Sequence, residues 1–101
     1  MPKPEEILDF VIRTKAALMQ LKGELTRKKP YERSRIDAVI NQLMYILNDI
    51  ESQCKPLYCN ISAVRGALSR FLSNLHVFSN EYPELTDAID AVEIQALMSD
   101  P

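Results

Sequence analysis

The sequence predicts an all-α fold, an antiparallel up-and-down helical bundle of three long helices and one shorter C-terminal helix. Apolar residues recur at alternating steps of three and four along most of the chain, the period of a single helix face. The prolines at positions 4, 30, 56 and 83 fall at the borders of those runs, where a residue without a backbone N–H does least harm. No period-two alternation of similar length points to a strand.

The first run is Ile7, Val11, Thr14, Leu18, Leu21 and Leu25. Pro4 suits the opening turn of this helix, and Glu5 and Glu6 sit against the positive end of its dipole. At about 25 residues it would be roughly 37 Å long. The second run, Ile36, Ile40, Leu43, Leu47, Ile50 and Cys54, begins after Pro30. A third follows through Ile61, Val64, Leu68, Phe71, Leu75, Phe78 and Tyr82, with Pro56 and Asn60 as alternative openings. After Pro83 a shorter fourth run comprises Leu85, Ile89, Val92 and Ala96. Short links between long helices predict antiparallel neighbours.

Apolar residues off these stripes need an explanation as well. Leu8, Ile12 and Met19 form a second line on helix one, and Val39 and Ile46 widen the face of helix two. A helix inside a bundle meets two neighbours and so needs a broad apolar face, but a dimer or partner surface would need the same. Tyr45 and Val77, opposite their main stripes, favour the second account.

A chain of 101 residues supports one core, so residues 1–101 are expected to form a single domain. The net charge of −2 argues against binding nucleic acid through overall charge. Its distribution is uneven: residues 1–70 carry a net +4, whereas residues 71–101 contain no Lys or Arg and carry −6. Such polarity can steer a partner or be matched within the molecule. No stretch approaches the ~18 apolar residues of a membrane span, and "MPKPEEILDF" lacks the order of a signal peptide. These features predict a cytoplasmic protein without membrane contact, in which Cys54 and Cys59 are reduced thiols.

Catalytic chemistry finds little to work with. His76 is the one histidine, and no nucleophile sits in a glycine-flanked turn, so neither an enzyme nor a cofactor is expected. Cys54 and Cys59 lack the further ligands of a structural zinc site, so no metal is predicted. Glu81, Glu84, Asp87, Asp90 and Glu93 recur every three residues and sweep around a helix without converging, which predicts a solvated face.

Three surfaces remain as candidates for binding. Arg27, Lys28, Lys29, Arg33 and Arg35 crowd the turn at Pro30, beside Tyr31, and could meet nucleic acid or an acidic protein. Ser62, Gly66, Ser69 and Ser73 line the face of helix three opposite its apolar stripe, flanked by Arg65 and Arg70, and would let a partner helix approach closely. Ile94, Leu97 and Met98 are expected on the outer side of helix four as a self-association or partner patch. Together these features predict a small non-enzymatic protein-binding module of the adaptor, inhibitor, immunity or chaperone kind, with homodimerisation as an option. The alternative is a nucleic-acid-associated regulator acting through the basic turn.

Overall fold

The computed structural model describes residues 2–99, within which the chain forms five α-helices and one two-stranded hairpin. Helix α1 spans Pro4–Lys28, α2 Arg33–Gln53 and α3 Ile61–Ser79. Two short helices follow, α4 over Glu84–Ala88 and α5 over Ala91–Met98. Between α2 and α3, strands β1 (Cys54–Lys55) and β2 (Tyr58–Cys59) pair antiparallel, with Cys54 opposite Cys59. The all-α class agrees with the periodicity.

Local chemistry explains the boundaries. Pro4 occupies the first turn of α1, Glu5 and Glu6 complement its amino end, and Arg27 and Lys28 its carboxyl end. The Lys29 N–H closes that end on the Leu25 carbonyl at 2.8 Å. Pro30–Glu32 then make one 3-10 turn before α2. The Asn60 side chain accepts a hydrogen bond from the Ala63 N–H at 3.2 Å, so Asn60 opens α3 and the Pro56 segment forms the hairpin.

Helix α2 packs against both α1 and α3, α4 touches α1 and α3, and α5 lies on α3. The C-terminal segment therefore covers the opening between the first and third helices. One contiguous core receives side chains from every helix, with Phe10 and Phe71 meeting edge to face at 6.2 Å. The principal-axis extents, 43 × 21 × 16 Å, reflect the length of α1. All six residues of the first apolar run and all six of the second are buried, and Val39 and Ile46 join them. Among the described residues, no helix is long and apolar enough to cross a membrane.

Two expectations are corrected. The fourth helix is broken, because Ile89 and Asp90 adopt extended backbone and the Asp90 carboxylate caps α5 by accepting from the Val92 N–H at 2.9 Å. Those two extended residues reset the helical phase. Val92 and Ala96 consequently face outward, whereas Ile94 is buried and Leu97 and Met98 pack half-buried against the core. The exposed patch expected from Ile94, Leu97 and Met98 does not form. The second correction concerns the thiols, since Cys54 and Cys59 are joined in a disulfide across the hairpin. Pairing opposite each other in a two-residue ladder brings their Cα atoms to 3.9 Å, which the sequence spacing alone did not reveal.

Candidate functional site

The basic turn divides into an inner and an outer set of side chains. On the inner side, Arg35 donates to both carboxylate oxygens of Glu81 at 2.9 to 3.1 Å and lies over the Phe78 ring. Tyr82 is fully buried, donates its hydroxyl to Glu32 at 2.8 Å, and carries the Lys29 ammonium over its ring at 5.2 Å. The hydrogen bonds from Arg35 hold the Glu81 carboxyl below its ordinary range and raise the guanidinium. Burial, with Glu32 as acceptor, pushes the Tyr82 phenol up to about 12. Lys29 and Arg35 are thus fastened to residues 78–82.

On the outer side, Arg27, Lys28 and Arg33 are exposed and form no ion pair with a described residue, and Tyr31 stands entirely in solvent. Beside Arg33, along the α1–α2 seam, runs a groove of about 340 Å³, lined by Met19, Lys22, Gly23, Thr26, Arg33 and Asp37, whereas Lys28 lies on another side of α1, near Glu84 and Asp87. Lys22 approaches Asp37 at 3.6 Å across the seam. The Thr26 hydroxyl is used internally, donating to the Lys22 carbonyl at 2.7 Å. Gly23 has the Arg27 guanidinium near the place of its missing side chain, 3.7 Å from a Cβ built there.

The second candidate surface lies on α3. Ser62, Gly66, Ser69 and Ser73 are all exposed, and no atom lies within 4 Å of a Cβ built on Gly66. Arg70 flanks them and donates to Asp49 of α2 at 2.6 Å, so its charge is already partly engaged. Val77, 64% exposed, continues the same side of the helix one turn beyond Ser73. At the amino end of α3, the disulfide-closed hairpin holds Leu57 and Tyr58 out in solvent, 100% and 70% exposed. Neither residue stands out in the sequence, because "KPLY" carries no periodicity and its display depends on the bond beneath it.

The acidic tail is less idle than a solvated face. Glu81 holds Arg35, Asp90 caps α5, and Glu93 meets Arg13 of α1 at 2.9 and 3.2 Å while Asp9 holds the same guanidinium at 2.8 Å. Both carboxylates push the Arg13 pKa further up. Part of the charge polarity is therefore matched inside the molecule. His76 is exposed in the last turn of α3, and among the described residues no three His, Cys, Asp or Glu side chains gather as a metal site. Compared with protein families, curated proteins and solved structures, the chain matches none.

Proposed function

We propose that the chain is a non-enzymatic, antiparallel up-and-down helical module that binds and masks a surface of another protein. The observation that carries this is the open face of α3. A glycine in the middle of an exposed helix costs about 1 kcal/mol relative to alanine, and crowding inside the molecule does not require one at Gly66. With the serines on either side it leaves a shallow track along which a partner helix can approach closely. Leu57 and Tyr58 supply apolar and aromatic anchors at one end of that track, and Arg70 a guanidinium for a partner carboxylate.

Substitution tests the proposal directly. Gly66→Leu and Ser69→Leu add helix-compatible bulk on an open surface, so each variant should melt no lower than the parent. Capture of a stoichiometric partner from native lysate should be lost in the double variant. Retained capture with an unchanged melting curve would remove α3 from the account.

The proposed location is the cytoplasm, where thiols are kept reduced and the half-buried Cys59, unlike the fully buried Cys54, is the accessible end of the disulfide. Thiol trapping at the moment of lysis should then find a fraction of Cys54 and Cys59 reduced. A fully oxidised pair would place the protein in an oxidising compartment instead. A second reading, a nucleic-acid-associated regulator, draws on the exposure of Arg27, Lys28 and Arg33. It predicts binding that collapses over a modest rise in salt.

A further inference from the structure

We infer that the groove at the outer side of the basic turn is a docking site for an acidic peptide segment of another protein, one carrying apolar side chains between its carboxylates. The groove has the composition such a segment needs. Lys22, Arg27 and Arg33 stand around it against the single carboxylate of Asp37, and Met19, 53% exposed, offers an apolar wall. Gly23 forms part of the lining and keeps the space beside the Arg27 guanidinium open. Peptide carboxylates would meet the two guanidinium groups, which bind carboxylates through paired N–H donors. An intervening leucine or phenylalanine would lie on Met19 over Gly23.

The turn is also built to hold still. Glu32, Lys29 and Arg35 are anchored on Tyr82, Glu81 and Phe78, so the outer residues project from a braced 3-10 turn and lose little freedom when a partner arrives. The same anchoring separates a peptide from a nucleic acid. Two of the five cations, Lys29 and Arg35, are already engaged by Tyr82, Glu81 and Phe78, the groove contains the carboxylate of Asp37, and Tyr31 is the one aromatic of the turn, which leaves no continuous basic track and no row of stacking platforms.

This surface belongs to α1 and α2, so it stands or falls independently of the α3 face. The test is fluorescence anisotropy of the full chain with three labelled probes: a peptide of alternating glutamate and leucine, its glutamine counterpart, and a single-stranded oligonucleotide of equal charge. Binding of the acidic peptide is expected, with at least about tenfold weaker binding of the glutamine version and a decline as salt rises. Gly23→Leu, which fills the groove with a better helix former, and Arg33→Glu should each weaken the acidic peptide about tenfold or more, while Arg33→Lys, which keeps the charge but loses the paired donors, should weaken it less than Arg33→Glu does. Circular dichroism establishes that each variant is folded. The inference is overturned by tighter binding of the oligonucleotide, by no binding of the acidic peptide at low salt, or by unchanged affinity in Gly23→Leu.

Discussion

Single side chains show where the fold concentrates its demands. Tyr82 is the largest fully buried residue, and its hydroxyl ends on Glu32, so one residue joins the chain after α3 to the turn before α2. Tyr82→Phe removes that hydrogen bond while keeping the ring, and should lower stability by about 1 kcal/mol, read from denaturant midpoints at neutral pH. The pH dependence has a defined sign. Because folding raises the phenol pKa to about 12 from 10, its contribution is complete below pH 10 and fades as pH rises through the folded value. The alkaline loss of stability should therefore be shallower in Tyr82→Phe than in the parent. Gly66 is the opposite kind of residue, unconstrained by the fold. Gly66→Ala should raise stability by roughly 0.5–1 kcal/mol, and a drop would mean that the α3 backbone there is not the open helix described.

At the scale of elements, local sequence rules and tertiary rules separate clearly. Helices α1, α2 and α3 were legible because each carries an unbroken 3-4 stripe, bounded by Pro4, by Pro30, by Asn60 and by the approach to Pro83. The break between α4 and α5 was not, since Asp90 reads equally well as one more polar residue on a continuing face. Its role as a cap shows only once Ile89 is extended. That single error of phase misplaced Ile94, Leu97 and Met98. The serine track on α3 was visible from spacing, whereas the groove at Gly23 needed α2 laid beside α1, and the exposure of Leu57 and Tyr58 at the hairpin tip needed the strand pairing and its disulfide. Two measurements follow at this scale. Asp90→Ala deletes the cap of α5 and should cost about 1 kcal/mol, with local hydrogen exchange rising first in residues 91–98. Cys59→Ser opens a six-residue ring, for which the chain-entropy account gives about 2 kcal/mol, and it should leave the helices intact in circular dichroism.

For the molecule as a whole, the question is what makes the three long helices one cooperative unit. The residues after α3 place Tyr82, Leu85, Ile89 and Ile94 in the core, each no more than 4% exposed, over the opening between α1 and α3. Burying a large apolar side chain contributes about 1.5–3 kcal/mol, so these four together are worth roughly 6–12 kcal/mol, comparable to the whole stability of a typical domain. The charged contacts in the same region, Arg35 with Glu81 and Arg13 with Glu93, are partly exposed and add little to that sum, although they fix where the segment lies. A chain ending at Asn80 should therefore lose its cooperative thermal transition, or regain one only by associating, which sedimentation at several concentrations would reveal. Disrupting the two ion pairs by Glu81→Gln and Glu93→Gln should leave the transition in place and lower its midpoint only slightly. Were the truncated chain to melt as a monomer near the parent's temperature, the apolar burial of residues 82–94 would be incidental to the fold. If the double glutamine variant instead lost the transition, charge and not burial would be what secures the C-terminal segment.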